Sequence, residues 1–309
     1  MQSLAGRGIN TMKKYAPLLI LTAATMWGSM GLFTRTLTAL GYTPYQLVFS
    51  RASVTSLCLI IYFLIFDREK LKIKLKDFWI FLSASIVSVV FFNYCYMNAI
   101  NTGSVSIAAT LLYTSPIFVM IISAILFKEK ITGIKIIALI MSFTGCILVS
   151  GILSSGNLLS PKALAFGIGS GFTYGMYSIF TKIALKKYSP LAFTAYTFLI
   201  SAIISLPLSA PAEMIHTTTQ KSTNLPLLLL FALITNVIPY TCFTTGLKHM
   251  EAGKANITAT VEPVIATVFG VLVFHETLTF FSVTGICLVL SSAILLNIPR
   301  KTHAQNIKK

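Results

Sequence analysis

Charge is what this chain has least of: 24 basic and eight acidic side chains in 309 residues make 10% of the whole, against about 25% in ordinary soluble domains. That scarcity excludes a disordered tail protein and a cytosolic α/β enzyme. The only aspartates, Asp67 and Asp77, bracket one charged loop, and the four histidines, His216, His249, His275 and His303, fall in loops or the tail. Neither a nucleophile with its base nor a metal cluster can therefore be assembled at membrane depth. The chain reads as no enzyme, with no metal and no cofactor. Its five cysteines, Cys58, Cys95, Cys146, Cys242 and Cys287, all sit inside apolar segments, where a thiol behaves as a small hydrophobe rather than half of a disulfide scaffold. No polar stretch is long enough for a soluble domain.

What is abundant is apolar surface: 55% of residues are hydrophobic and the mean hydropathy is +0.82. A single soluble core cannot use that much, so the chain is expected to be an all-α membrane protein. The net charge of +16 would suit nucleic acid only if the basic residues gathered on one soluble face, and they do not. Nucleic acid is excluded as a partner, whereas anionic membrane lipids suit the basic loops.

A helix needs about 20 apolar residues to cross a hydrocarbon core of roughly 30 Å. Ten such runs occur: Tyr15 to Thr36, Tyr45 to Phe66, Phe78 to Ile100, Ser104 to Phe127, Gly133 to Gly151, Lys162 to Leu185, Leu191 to Ala210, Leu225 to Leu247, Ala255 to Phe274 and Phe280 to Ile298. The first, after Lys13-Lys14, is too long for a cleavable signal and lacks a small-residue cleavage site, so it counts as a span. With the amino terminus inside, 20 of the 24 basic residues fall on the cytoplasmic side. Only Arg35, Lys162 and Lys221 fall outside, and Arg51 lies within the second span. Because inside loops retain Lys and Arg, both termini are expected in the cytoplasm, and a lost span would invert every later loop.

A shift of 147 positions lays one half on the other. Trp27-Gly-Ser-Met-Gly-Leu-Phe-Thr-Arg35 meets Tyr174-Gly-Met-Tyr-Ser-Ile-Phe-Thr-Lys182, Pro116 meets Pro263, and Phe127-Lys-Glu-Lys-Ile-Thr132 meets Phe274-His-Glu-Thr-Leu-Thr279. One residue less aligns Thr43-Pro44 with Ser189-Pro190. Five spans per half is an odd number, so the copy must enter from the opposite face. The expected architecture is ten transmembrane helices in two inverted five-helix repeats: residues 1–14 a cytoplasmic tail, 15–151 and 162–298 the repeats, 299–309 a basic cytoplasmic tail. Inverted repeats are common in secondary transporters, where two packings of opposite orientation open a central site to either side.

Ten helices in two halves, Trp27-Gly early in the first span, Arg51 in the second, the Pro116 to Lys-Glu-Lys-Ile-Thr stretch, and Glu262-Pro263 leading to His275-Glu-Thr-Leu-Thr together resemble the EamA-type proteins of the drug/metabolite transporter superfamily. The resemblance covers about Lys13 to Ile298. It implies export or exchange of small metabolites, often amino acids or related amphipathic compounds, across the bacterial plasma (inner) membrane. The His275-Glu pair departs from the Gly-Glu common there.

Several residues can carry such a function. Polar and aromatic side chains that recur on span faces form the candidate substrate-binding set: Trp27, Asn93, Tyr113, Tyr177, Tyr240, Asn256 and Thr260. Polar groups in hydrocarbon face the bundle interior, either bonding across helices or lining an aqueous path, and both readings stand for each residue. Spans three, four, eight and nine are expected to surround one cavity. Pro116 and Pro263, each near mid-span, are candidate hinges because a proline frees the carbonyl four residues earlier; a tolerated kink is the alternative. Gly167, Gly171 and Gly175 offer two small-x-x-x-small steps for close packing.

Two ionisable residues lie roughly 10 Å deep at 1.5 Å per residue: Arg51, near the outer approach, and Glu262, the only one of the eight acids inside a span. Their repeat mates are Thr197 and Ser115, so the shared scaffold does not demand either charge. Glu262 is read as a proton-coupling site, an acceptor for a cationic part of the substrate, or a hydrogen-bonding strut. The few cations at depth argue against a polyanionic substrate and favour a small zwitterion, amine or aromatic metabolite. A channel would favour rings of one charge or a filter loop, and neither is present. A non-transporting scaffold remains the other alternative to a carrier.

Overall fold

In the computed structural model, residues 2–152 and 160–298 are described, with side chains from Lys13 onward. The expected tail 299–309 and the side chain of Arg7 lie outside the described residues. Every regular element among the described residues is helical, as it must be where lipid offers no partner to a backbone amide or carbonyl. Residues 2–14, expected as a tail, continue the first helix, α1 (Gln2–Gly28).

The helix starts are written in capping residues. Thr43 accepts from the Gln46 amide at 3.3 Å while the Gln46 side chain accepts from Thr43 N at 2.9 Å, a reciprocal box closed by Pro44 at the first helical position. Ser104, Ser160, Ser189 and Thr279 each accept from an amide in the first turn of the helix that follows. Such oxygens satisfy amides that have no partner within the helix.

Ten membrane-crossing units follow in order. The first is α1 with α2 (Met30–Ala39), the second α3 (Pro44–Phe66), and the third α4 (Phe78–Ser85) with α5 (Phe92–Thr102). Next come α6 (Val105–Leu112) with α7 (Ser115–Phe127), then α8 (Gly133–Val149). The second half comprises α9 (Pro161–Ala184); α10 (Pro190–Ser205); α12 (Asn224–Ala232) with α13 (Ile238–His249); α14 (Ala252–Ala259) with α15 (Glu262–Phe274); and α16 (Phe280–Asn297). A short helix, α11 (Pro211–Thr219), occupies the loop before α12. Eight units are both long and apolar enough to span. The other two are α8, with 17 residues, and α9, whose 24 residues are diluted by Gly, Ser, Thr and Lys.

The internal repeat is visible in the irregularities. A π-helical turn at Ile86–Phe91 joins α4 to α5, and another at Leu233–Val237 joins α12 to α13, 147 residues apart at their starts. The fourth and ninth units both break, at Tyr113 and at Thr260, again 147 apart. Both end on a non-glycine residue in the left-handed region, Lys128 with φ 55° and His275 with φ 54°. The amides of Lys128 and His275 return to the carbonyls of Ser123 and Gly270, and those that follow do so too, Glu129 N to Ser123 O at 3.3 Å and Glu276 N to Gly270 O at 3.1 Å, satisfying carbonyls left open at a helix end. The break of the first unit at Ser29 has no mate, since α9 runs through the equivalent Met176.

Between the halves lies the principal core, where Trp27, Phe81, Tyr113, Tyr177, Phe193 and Phe243 pack with small residues of α1 and α14. The small-residue steps of α9 pack against the fourth unit: a Cβ on Gly171 would stand 2.8 Å from the Leu111 carbonyl oxygen. Leu57, Ile125 and Leu272 face outward, as a lipid-facing surface requires.

Candidate functional site

The centre is built by repeat mates meeting across the two halves. Trp27 and Tyr174 are mates, and their rings meet edge to face at 6.4 Å. Trp27 also packs on Tyr240 at 5.1 Å and Phe243 at 5.3 Å, and Tyr240 meets Tyr177 at 5.0 Å and Phe198 at 4.6 Å. These separations suit edge-to-face attraction between aromatic quadrupoles. Trp27, Ser88, Tyr174, Tyr177, Ser178, Tyr240, Phe243 and Asn256 enclose a space of about 10 Å³, room for about one water.

Glycine places Trp27 there. A Cβ on the adjacent Gly28 would lie 2.8 Å from the Glu262 carbonyl oxygen and 2.6 Å from Ile265 Cβ, so only a bare α-carbon lets α1 approach the start of α15. The mate, Gly175, makes the equivalent approach to Ser115, whose carbonyl oxygen would lie 3.2 Å from a Cβ added there.

Glu262 is the first residue of α15, half-buried, where the positive end of the helix dipole favours a carboxylate. The Tyr174 hydroxyl donates to its Oε2 at 3.4 Å. Tyr96, Tyr113, Tyr240 and Cys146 all lie within electrostatic reach. Among the described residues the carboxyl thus has one weak protein donor, Tyr174, and capacity for another partner.

The other candidates divide. Asn256 is buried and donates to Ser178 Oγ at 2.7 Å and to the Ala252 carbonyl at 3.0 Å, which ties α14 to α9 at the cavity wall. The Tyr177 hydroxyl shares a hydrogen bond with Thr244 Oγ1 at 3.3 Å. Thr260 pairs with Ser142 Oγ at 2.7 Å, fastening the break of the ninth unit to α8 rather than lining the space. Asn93 donates to the Val89 carbonyl of the preceding π-helical turn at 2.7 Å, within its own unit. Tyr113 belongs to the Glu262 neighbourhood but not to the walls of the cavity.

Arg51 stands apart from Glu262, and no ion pair joins them among the described residues. Its guanidinium lies 5.6 Å from the Phe231 ring centroid, and its Nη1 reaches Met30 Sδ at 3.5 Å. Asn236, in the second π-helical turn, holds the Arg51 carbonyl at 3.3 Å and Thr55 Oγ1 at 2.8 Å.

Pro116 and Pro263 are the second residues of α7 and α15. They start half-helices, where a missing amide is harmless, and do not bend continuous ones. The cavity draws on units one, three, six, eight and nine; the fourth unit supplies no wall residue. Ser88, Tyr174, Ser178 and Phe243 are wall residues that the sequence-derived set lacks. Tyr174 was accessible to it as the repeat mate of Trp27.

The sequence profile of the EamA-like transporter family matches residues 14–151 and again 161–298. An uncharacterized transporter of Archaeoglobus fulgidus is 25% identical over 289 residues, covering 91% of this chain and 96% of its own. The uncharacterized transporter YwfM of Bacillus subtilis is 23% identical, covering 92% and 94%. A solved crystal structure of 16% identity superposes with a TM-score of 0.75 over 91% of this chain and 95% of that one, which shows a shared fold.

Proposed function

Because the chain belongs to the EamA-like transporter family, within the drug/metabolite transporter superfamily, we propose that this multi-pass membrane transporter carries a small amphipathic amine, amino acid or related metabolite by alternating access. The observation that carries the proposal is Glu262, a half-buried acid with spare hydrogen-bonding capacity, which meets Tyr174 and through it the central cluster of Trp27 and Tyr240. Aromatic faces attract a cationic headgroup, and a carboxylate beside them completes a site for an ammonium group. The same carboxyl can take up a proton when the ammonium leaves, which would couple substrate movement to protons. The sequence has neither the rings of one charge nor the filter loop that a channel would favour, and polar faces converging from both halves are more than a scaffold needs.

We further propose a bacterial inner-membrane location, with both termini and the loop from Arg68 to Lys76 cytoplasmic and the segment from Pro211 to Asn224 external. The motive is the side on which 20 of 24 basic residues gather. The efflux direction follows only from the family resemblance.

A ligand that binds the folded state raises its apparent stability. Purified protein is therefore screened by thermal shift against amino acids, aromatic amines, quaternary ammonium compounds and sugar phosphates. The proposal expects stabilisation by an amine-bearing compound that is lost in Trp27→Ala and Glu262→Gln. Stabilisation by sugar phosphates alone would overturn the substrate class. Labelling of a cysteine at Lys72, but not at Ser222, from outside intact cells would overturn the orientation.

A further inference from the structure

The two faces of the bundle are held differently by residues that the repeat makes equivalent. On one face the Glu129 carboxylate accepts from the Ala252 amide at 2.9 Å and from the Gly253 amide at 3.3 Å. These are the first two residues of α14, whose amides have no partner within the helix. Lys182 donates to the Met250 carbonyl in the same turn and lies within electrostatic reach of Glu129. An acid from the first half and a base from α9 thus grip the start of α14 between them.

On the opposite face the mates are Glu276 for Glu129, Arg35 for Lys182, and the segment from Gly103 to Ser106 for that from Met250 to Gly253. The grip is absent there. Glu276 and Arg35 meet each other at 3.5 Å with side chains 59% and 64% exposed, and Arg35 rests over the Phe274 ring at 4.2 Å. The start of α6 is capped by its own Ser104, at 3.2 Å from the Ile107 amide.

One tyrosine tie is present on both faces. The Tyr42 hydroxyl bonds Thr218 Oγ1 at 2.9 Å, and its mate Tyr188 bonds Asp77 Oδ2 at 2.8 Å. The ion pairs Lys135–Glu251 and Lys187–Asp77, each at 2.6 Å, also hold the Glu129 face and have uncharged residues at their mates, so the asymmetry lies in the charged ties. Glycine provides a parking place for the idle acid: a Cβ on Gly270 would lie 2.5 Å from Glu276 Oε2, whereas its mate in the first half is Ser123.

We propose that Glu129 with Lys182, and Glu276 with Arg35, are alternating latches of the transport cycle, each closing one face by seizing the start of the half-helix opposite it. The structure holds the first latch shut and the second open. When the cycle reverses, Glu129 releases Ala252 and Gly253, and Glu276 leaves Gly270 for the amides of Val105 and Ser106. The inference rests on the alternating-access reading and adds the groups that hold each end state.

Hydrogen–deuterium exchange of the full-length protein in lipid nanodiscs tests it through the face opposite each substitution. Glu129→Gln weakens the shut latch, so residues 102–107 should exchange more slowly by about threefold or more as the population moves toward the other state. Glu276→Gln should do the converse, slowing residues 249–254. Gly270→Ala displaces the parked carboxylate and should slow residues 102–107 as Glu129→Gln does. A merely structural cap predicts faster exchange at 249–254 in Glu129→Gln and no change across the molecule. That outcome, or silence at 249–254 in Glu276→Gln, overturns the latch. If Glu129→Gln fails to fold, the Glu276→Gln and Gly270→Ala variants carry the test, the first at an exposed side chain. Wild-type counterflow with no cross-face change would sink the latch alone, whereas absence of counterflow in the wild type removes the carrier reading and the latch with it.

Discussion

The first and second halves of the chain share their irregularities and differ in their charges. The π-helical turns at Ile86–Phe91 and Leu233–Val237, the breaks at Tyr113 and Thr260, and the left-handed Lys128 and His275 recur at the repeat offset. Even the second span's anchorage recurs: Asn236 holds the Arg51 carbonyl, and Ser85 holds that of the mate Thr197 at 2.7 Å. Against this common plan stand Glu262 facing Ser115, Arg51 facing Thr197, and a first helix broken at Ser29 where α9 is continuous. Features present twice are what the bundle needs to fold in either orientation. Features present once are where an asymmetric substrate can be read.

The sharpest way to break that contrast is to treat mates unequally. Glu262→Gln keeps shape and hydrogen-bonding capacity but removes the charge, and should lower the initial rate of transport into proteoliposomes by about tenfold or more, roughly 1.4 kcal/mol of barrier. Ser115→Ala, at the mate position, should change it less than about twofold. Equal losses at the two positions would mean that Glu262 is scaffold.

Next in size is packing at the point where the halves cross. Gly28→Ala forces a Cβ to within 2.6 Å of Ile265 Cβ, and overpacking of this kind destabilises by about 1–3 kcal/mol. Gly175→Ala meets Val119 Cγ2 at 2.8 Å and should lower Tm by a comparable amount, because this close approach belongs to both repeats. A Cβ added at Gly31 would meet nothing within 4 Å, so Gly31→Ala should hold or slightly raise Tm through the better helix propensity of alanine. A large drop at Gly31, or none at Gly28, would contradict the crossing geometry.

A smaller effect is expected at Trp27. Replacing its indole with a smaller ring weakens the edge-to-face contact with Tyr240 and the tilted contact with Phe243, aromatic pairs worth about 0.5–1.5 kcal/mol each beyond area. Trp27→Phe should therefore raise the half-saturating substrate concentration several-fold with less change in maximal rate. The smallest effect lies outside the membrane. The hydrogen bond to Asp67 pushes the Lys70 ammonium above its usual pKa, but that ion pair is open to water, where such pairs contribute little. Asp67→Asn should leave both Tm and transport unchanged, as a control for the interior acids.

Much of this plan was legible in the residues because hydrocarbon leaves few choices. Ten apolar runs, an odd number of spans per half and the Trp27/Tyr174 alignment lead directly to inverted five-helix repeats. The π-helical turns were not legible: one extra residue in a hydrogen-bond ladder changes neither composition nor hydropathy. Pro116 and Pro263 carried a signal that was ambiguous, since proline both kinks a helix and starts one, and only the broken backbone at Tyr113 and Thr260 decides between them. Within the centre, Trp27, Tyr177, Tyr240 and Asn256 come together, whereas Asn93 and Thr260 spend their polar groups on the Val89 carbonyl and on Ser142. Helical spacing shows which face a side chain occupies, not which neighbour satisfies it.

Counterflow addresses the central claim most directly, that an asymmetric site is exposed alternately by two symmetric halves. Proteoliposomes holding the protein are preloaded with a stabilising amine identified by thermal shift, and a trace of labelled amine is added outside. Alternating access predicts transient accumulation of label above its equilibrium level, saturable in the outside concentration and lost in Glu262→Gln. Label that rises monotonically to equilibrium, at a rate proportional to concentration, would contradict the account.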